Sequence, residues 1–126
     1  MPGILIVEDD LELREMLRLS FARKKFTVLE AGNGRDAILH FKPSVTDIII
    51  TDLIMPDEDG LKVIMKLREQ KPSVKIIAIS GGGKVGPGNY LNLAKALGAD
   101  AVFSKPFSIN DLMIKIDELL VPEQHD

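Results

Sequence analysis

Five side chains that could support metal-assisted chemistry on a phosphoryl group follow four of the chain's five short apolar segments. They are three acids, a hydroxyl and an amine: Glu8, Asp9, Asp52, Ser80 and Lys105. In an open parallel α/β sheet the carboxyl ends of all strands lie at one edge, so side chains that are distant in sequence meet in a crevice there. We therefore expect these five residues to form one site.

A metal ion is expected in this site because three carboxylates in one crevice would repel one another unless they share a cation. Ligands that are all oxygen atoms favour Mg²⁺ over a transition metal. Mg²⁺ commonly combines one or two carboxylates with water and phosphate oxygens, so the site need not be a closed cage. Phosphoryl transfer mainly requires positioning and neutralisation of charge. The predicted cofactor is Mg²⁺.

The elements that would position these residues alternate along the chain. Strands are predicted at 4–7, 26–31, 48–51, 76–79 and 101–103. Apolar stripes at helical spacing follow them, such as Leu13, Leu17 and Phe21 after the first strand. Repeated βα units predict a parallel sheet with helices on both faces and right-handed crossovers. We expect one (βα)₅ domain of the α/β class over residues 1–121, followed by a polar tail at 122–126.

Three residues mark the ends of predicted helices. Asp10 is interpreted as the N-cap of the first helix. Gly98 is predicted to close the fourth helix as a left-handed C-terminal cap, and Ser108, three residues before Asp111, to begin the last helix as in a capping box. Acids also favour the positive end of a helix, so the run from Glu8 to Asp10 taken alone leaves that simpler interpretation open.

Composition limits the classes of partner. The 126 residues carry a formal net charge of −3 and include no cysteine. This charge gives no broad attraction to nucleic acid or to an anionic membrane, and without cysteine there is neither a disulfide framework nor a thiolate metal site. No apolar segment approaches the roughly 18 residues of a membrane span. We expect a cytoplasmic protein without a direct nucleic-acid or membrane partner.

Several short motifs in order give the chain a family resemblance. They are Glu8-Asp9-Asp10 after the first strand, Thr51-Asp52-Leu53-Ile54-Met55-Pro56, Asp59-Gly60, Ile79-Ser80, Gly98-Ala99-Asp100 and Lys105-Pro106-Phe107. Over roughly residues 4–120 the chain resembles the receiver domains of two-component response regulators. The resemblance implies a flavodoxin-like receiver fold with strand order 2-1-3-4-5.

The resemblance also implies a role for each candidate residue. Asp52 would accept the phosphoryl group as an aspartyl phosphate, Lys105 and Ser80 would contact phosphoryl oxygens, and Mg²⁺ would bind Glu8, Asp9, Asp52 and the backbone carbonyl of Ile54. The donor would be a sensor histidine kinase or a histidine phosphotransfer protein, and the effector downstream is unknown. Such a module is a signalling domain rather than a turnover enzyme. The family further implies a cis peptide bond before Pro106.

Two departures from the common family pattern affect the expected switch. Val102 stands where the family often has a tyrosine or phenylalanine that turns inward on activation. The segment from Ser80 to Asn89 is about three residues longer than is typical and contains five of the ten glycines. Its Gly-Gly-Gly-Lys-Val-Gly sequence lacks the spacing of a nucleotide-binding loop. We therefore expect output to depend on the segment from Gly81 to Asn89 rather than on an aromatic switch.

Two other function classes are compatible with the sequence. A receiver-like module could bind partners constitutively without being phosphorylated, and a metal titration would separate this class from a phosphoacceptor. A phosphohydrolase could use Asp57 and Asp59 as an Asp-x-Asp pair, but these acids follow Pro56 instead of an apolar strand. His40 and His125 have no metal partner nearby in the sequence.

Overall fold

A five-stranded parallel sheet forms the centre of the molecule. The computed structural model describes residues 2–55, 58–81, 92, 94–96 and 98–121, with only the backbone of Glu58. The strands of the large sheet are β1 (Gly3–Val7), β2 (Thr27–Ala31), β3 (Ile48–Asp52), β6 (Lys75–Ser80) and β7 (Ala101–Ser104). Two shorter strands, β4 (Ile54–Met55) and β5 (Glu58–Asp59), pair separately.

The order of the large sheet is β2-β1-β3-β6-β7, and all of its neighbouring strands are parallel. With β6 and β7 counted as the fourth and fifth large strands, the predicted order 2-1-3-4-5 is confirmed. β1 and β3 are neighbours at the centre, so Val7 lies beside Thr51 in register. The antiparallel ribbon of β4 and β5 was not predicted, since two-residue strands leave no periodic signal in the sequence.

Helices follow the strands with the predicted caps. They are α1 (Leu11–Arg23), α2 (Gly34–His40), α3 (Gly60–Gln70) and α4 (Ile109–Leu120), with a short 3₁₀ turn at Pro43–Val45. The Asp10 side chain accepts from the backbone N–H groups of Glu12 and Leu13, and the Ser108 hydroxyl accepts from that of Asp111. Both predicted N-caps are confirmed.

The helix predicted between β6 and β7, which carries no label here, is described only in part. Asn92 and residues 94–96 are helical, and the rest of that segment lies outside the described residues. Gly98 has φ +109°, its N–H donates to the Lys95 carbonyl, and the Ala99 N–H donates to the Ala94 carbonyl. This pair of bonds is a Schellman motif, so the predicted left-handed cap is confirmed.

The sheet separates two apolar clusters. Along β1, Ile4 and Ile6 face the cluster under α1 and α4, whereas Leu5 and Val7 face the one under α2 and α3. β3 and β6 alternate in the same way because successive side chains of a strand point to opposite faces. Burial on both faces explains why these strands are almost entirely apolar.

Some predicted boundaries differ from the structure. β2 begins at Thr27 rather than Phe26. α2 ends at His40, because Phe41 has a non-helical ψ of 129° and Lys42, directly before Pro43, is extended. The predicted tail at 122–126 lies outside the described residues, so the boundary at 121 stays a prediction. None of the helices in the described part of the chain combines the length and the apolar character that crossing a bilayer requires.

Candidate functional site

Glu8 directly follows the inner strand β1, and both its backbone and its side chain are held by hydrogen bonds or ion pairs. Its N–H donates to the Ala31 carbonyl at the end of β2 over 3.1 Å. One carboxylate oxygen, Oε2, accepts from the Asp10 N–H at 3.2 Å, and Oε1 lies 2.9 Å from Lys105 Nζ. Glu8 is only 2% exposed, so a buried acid is fixed at the carboxyl edge of the sheet.

Asp52 ends the neighbouring strand β3 and is equally buried, at 3% exposure. Its Oδ1 accepts from the Ile54 N–H at 3.0 Å, and its Oδ2 accepts from Lys105 Nζ at 2.8 Å. The Lys105 ammonium therefore bridges two carboxylates from two adjacent strands. The peptide bond from Lys105 to Pro106 is cis, as the family resemblance implied.

The third acid completes a group that could hold a cation. Carboxylate oxygens of Glu8, Asp9 and Asp52 lie within 4.8 Å of one another, and Asp9 is exposed. The cleft beside them has a volume of about 200 Å³ and is lined by Glu8, Asp9, Asp10, Asp52, Ile54, Gly81 and Lys105. Clustered carboxylates on an open cleft are the ligands that Mg²⁺ prefers.

The site contains more carboxylates than cationic groups. Burial raises the pKa of Glu8 to about 7; hydrogen bonds from Lys105 and the Asp10 N–H oppose the rise, and the charge of Asp52 adds to it. Burial alone would lower the pKa of Lys105, but its hydrogen bonds to Asp52 and Glu8 outweigh burial and raise it. One ammonium thus faces three carboxylates, an arrangement that a bound cation would relieve.

Ser80 lies next to this group, and its hydroxyl is engaged by a backbone carbonyl. The residue is fully buried at the end of β6, and its hydroxyl donates to the Gly81 carbonyl over 3.2 Å. Its own carbonyl accepts from the Lys105 N–H at 2.9 Å, which connects β6 to the lysine. The structure therefore brings Glu8, Asp9, Asp52 and Lys105 together, whereas the Ser80 hydroxyl is bonded to the Gly81 carbonyl.

One acid of the Asp-x-Asp alternative, Asp59, is a helix cap. The Asp59 side chain caps α3 by accepting from the Leu61 N–H at 3.0 Å, and Asp57 lies outside the described residues. Asp59 is thus engaged as a helix cap, and Asp10 likewise caps α1 while lining the cleft.

The two residues at the expected switch position lie on opposite faces of β7. Val102 packs against the cluster under α2 and α3, whereas Phe103 packs against the other cluster, with its ring centroid 6.2 Å from that of Phe107. The segment predicted to carry the output, Gly81 to Asn89, lies outside the described residues except for Gly81.

A comparison with protein families agrees with this geometry. The family model described as "Response regulator receiver domain" matches residues 4–117. The chain belongs to this family. The sheet and the cleft described above are therefore those of a receiver domain.

Individual relatives place this receiver domain among signalling proteins. It is 31% identical to the response regulator receiver protein CpdR of Brucella abortus, covering 96% of this chain and 98% of CpdR. It is 33% identical to the transcriptional regulatory protein ResD of Bacillus subtilis, covering 93% of this chain. The chain spans 47% of the length of ResD, about half of that relative.

Among solved structures, the receiver domain is similar to the response regulator TrrA of Thermotoga maritima in complex with Mg²⁺-BeF. The TM-score is 0.81 at 29% identity, and the match covers 95% of this chain and all of TrrA. The parallel α/β fold predicted from the sequence is thus shared with a solved response regulator.

Arg14 is a residue of this region that the sequence did not single out. Its Nη1 donates to the Glu8 carbonyl at 2.9 Å, and its Nε lies 3.3 Å from Glu30 Oε1. An arginine in the second turn of a helix resembles an ordinary surface cation. The only sequence signal was an acid, Glu30, near the end of the neighbouring strand.

Proposed function

We propose that this receiver domain is a phosphoacceptor that takes a phosphoryl group onto Asp52 in a Mg²⁺-dependent reaction and thereby changes partner binding. The observation that carries the proposal is the ammonium of Lys105, placed 2.8 Å from Asp52 and 2.9 Å from Glu8 beside the exposed Asp9. A nucleophile, a fixed cation and oxygen ligands then share one open cleft.

The transfer forms one bond and breaks one. An oxygen of the Asp52 carboxylate forms a bond to phosphorus while the bond from phosphorus to the donor breaks, and its electron pair leaves with the donor. Lys105 holds positive charge beside the acceptor, and its raised pKa keeps it protonated at neutral pH. Fixed charge at the position where phosphoryl oxygens arrive is the main contribution that a protein makes to such a transfer.

Mg²⁺ fits the residues that are present. The carboxylates of Glu8, Asp9 and Asp52 and the carbonyl of Ile54 would hold it, and when bound it would neutralise charge on the phosphoryl oxygens. Asp9 is exposed at the cleft, whereas Glu8 and Asp52 are buried beside it.

Ser80 would act after the transfer rather than before it. Its hydroxyl now donates to the Gly81 carbonyl, so contact with a phosphoryl oxygen on Asp52 requires the hydroxyl to turn and release Gly81. A charge-assisted hydrogen bond of about 1.5–3 kcal/mol would drive this exchange. Release of the Gly81 carbonyl would be the step that changes partner binding.

The partners follow from the family. We infer that the donor is a sensor histidine kinase or a histidine phosphotransfer protein and that the output is binding to a downstream effector, in the cytoplasm. The names of two relatives, the transcriptional regulatory protein ResD and the response regulator receiver protein CpdR, support a regulatory role without naming an output partner.

Intact mass after incubation with Mg²⁺ and acetyl phosphate tests the proposal. We expect one hydroxylamine-labile phosphoryl adduct in the wild type and none in Asp52→Asn. Asp59→Asn is the matched control, because asparagine also caps helices, and it should be modified like the wild type.

An adduct on Asp52→Asn, or loss of the adduct in Asp59→Asn alone, would contradict the assignment. A wild type that gains no adduct from acetyl phosphate or from any histidine kinase would favour the alternative of constitutive partner binding.

A further inference from the structure

Arg14 connects three segments next to the acidic cleft. Its Nη1 donates to the Glu8 carbonyl at 2.9 Å, and its Nε lies 3.3 Å from Glu30 Oε1. Its side chain is only 21% exposed, so the guanidinium is packed between α1 and the end of β2. The guanidinium is held by one hydrogen bond, from Nη1 to the Glu8 carbonyl, and by its charge pairing with Glu30, to which Nε makes no hydrogen bond.

The carbonyl that Arg14 holds belongs to the peptide between the two acids. A peptide unit is planar and rotates as one body, so fixing the Glu8 carbonyl also fixes the direction of the Asp9 N–H and Cα. The other contacts of Glu8, to Ala31, Asp10 and Lys105, fix its amide and its carboxylate. Asp9 itself is exposed, and the position of its Cα follows from this peptide.

We propose that Arg14 is a positioning residue for the acidic cluster: it fixes the Glu8–Asp9 peptide so that both carboxylates face the same cation. This inference rests on the proposed function, because it assumes that the cluster binds Mg²⁺. Groups that orient metal ligands without touching the metal commonly change affinity about 10–100-fold when removed.

The sign of the effect separates positioning from simple charge. Removing a nearby cation lowers the repulsion on Mg²⁺, so a purely electrostatic role predicts tighter Mg²⁺ binding when Arg14 is neutralised. A positioning role predicts weaker binding. The two explanations therefore give opposite results in one titration.

Arg18 provides a matched control on the same helix. Its guanidinium lies 2.7 Å from Glu15 Oε1 and 3.8 Å from Glu30 Oε2, so it shares Glu30 with Arg14. Within the described part of the chain, Arg18 pairs with carboxylates only, whereas Arg14 also donates to a backbone carbonyl. Arg18→Met therefore removes the same charge one turn later on α1 without touching the Glu8–Asp9 peptide.

Gly32 offers a second test that removes no charge. A Cβ placed on Gly32 would lie 2.8 Å from Arg14 Nη1 and within 4 Å of no other atoms outside that guanidinium. The flexible end of the arginine would have to move, at little cost to the fold. Gly32→Ala should therefore displace the Arg14 guanidinium while the charges of Arg14 and Glu30 both remain.

The experiment is an NMR titration of the full chain with Mg²⁺, which follows the backbone amides of Asp9, Asp10 and Ile54. We expect the Mg²⁺ dissociation constant to rise about 10-fold in Arg14→Met and to rise less in Gly32→Ala. Arg18→Met should bind as tightly as the wild type or slightly more tightly. The rate of phosphorylation by acetyl phosphate should recover in Arg14→Met when Mg²⁺ is saturating.

Each result decides between explanations. Unchanged or tighter Mg²⁺ binding in Arg14→Met, with normal binding in the wild type, would overturn the positioning role and leave the proposed function intact. Equal weakening in Arg14→Met and Arg18→Met would also overturn it. A wild type that binds no Mg²⁺ would instead refute the proposed function together with this inference.

Discussion

The ammonium of Lys105 balances only part of the negative charge at the cleft. It contacts Asp52 and Glu8, and burial still raises the pKa of Glu8 to about 7. Asp9 adds a third carboxylate whose oxygen lies within 4.8 Å of the other two. Before a cation binds, the site therefore holds repulsion that the fold must overcome.

Asp9→Ala should weaken Mg²⁺ binding and stabilise the metal-free fold. Removal of one of three neighbouring carboxylates relieves repulsion, worth no more than about 1 kcal/mol because Asp9 is exposed. Thermal unfolding with and without Mg²⁺ measures both effects. We expect a smaller Mg²⁺-induced rise in melting temperature in Asp9→Ala than in the wild type.

Glu12→Ala is the control for this prediction, because Glu12 is an exposed acid in the first turn of α1, three residues after Asp9. It should keep the full response to Mg²⁺. Equal melting shifts in the wild type and Asp9→Ala would show that Asp9 is not a metal ligand.

At the scale of elements, α3 is connected to the edge of the sheet opposite the cleft by Arg68. Its guanidinium donates to the backbone carbonyls of Pro72, Val74 and Gly98 and pairs with Asp100 at 3.2 Å. Asp100 in turn accepts from the Ile76 N–H at 2.8 Å. One side chain thus joins the loop that precedes β6 to the loop that precedes β7.

Arg68→Met should destabilise the domain without impairing phosphorylation. Loss of the donors leaves the partly buried Val74 carbonyl unpaired, which costs about 1–3 kcal/mol, whereas water can replace the donor at the exposed Pro72 and Gly98 carbonyls. Urea denaturation should show a lower midpoint with an unchanged slope. Because Arg68 lies at the amino ends of the strands, the extent of phosphorylation by acetyl phosphate should remain that of the wild type.

Lys66→Met, on the exposed face of α3, is the matched control for Arg68→Met. We expect its free energy of unfolding to stay within about 0.5 kcal/mol of the wild type. Equal stability losses in the two variants would mean that the Arg68 contacts contribute nothing measurable.

For the whole molecule, strand order decides which side chains meet. β1 and β3 are central neighbours, so Glu8 and Asp52 are adjacent although 44 positions separate them in the chain. Lys105 reaches them from the loop after β7, 53 positions from Asp52. Ser80 and Ser104 lie in register on β6 and β7, and the Lys105 N–H donates to the Ser80 carbonyl, so the end of β6 is adjacent to the lysine.

Beryllofluoride, a phosphoryl mimic, should change amide hydrogen exchange at Gly81 more than at Val102 and Phe103. The Ser80 hydroxyl would leave the Gly81 carbonyl for the mimic, whereas Val102 has no ring to turn inward. Exchange measured by NMR with Mg²⁺ in both samples tests this, and the amides of β2 serve as an internal reference.

The opposite pattern would move the switch to the fifth strand of the large sheet. A clear change at Val102 and Phe103 with none at Gly81 would mean that β7 carries the signal despite the missing aromatic residue.

The sequence by itself determined the architecture and the composition of the site. Strands such as Ile48–Asp52 are almost wholly apolar because both faces of the sheet are covered, and the helix ends carry local signals at Asp10, Gly98 and Ser108. The site acids could be found because each directly follows an apolar strand, and parallel strands end at one edge.

Only the tertiary structure decided how those side chains are paired. It showed that Lys105 bridges Glu8 and Asp52, that the Ser80 hydroxyl faces Gly81, and that Arg14 holds the Glu8–Asp9 peptide. These contacts depend on strand register and on side-chain rotamers, and they join residues that are far apart in the chain or on different elements. No local pattern of residues encodes them, since hydrophobic periodicity specifies which face a residue occupies but not which polar atom it meets.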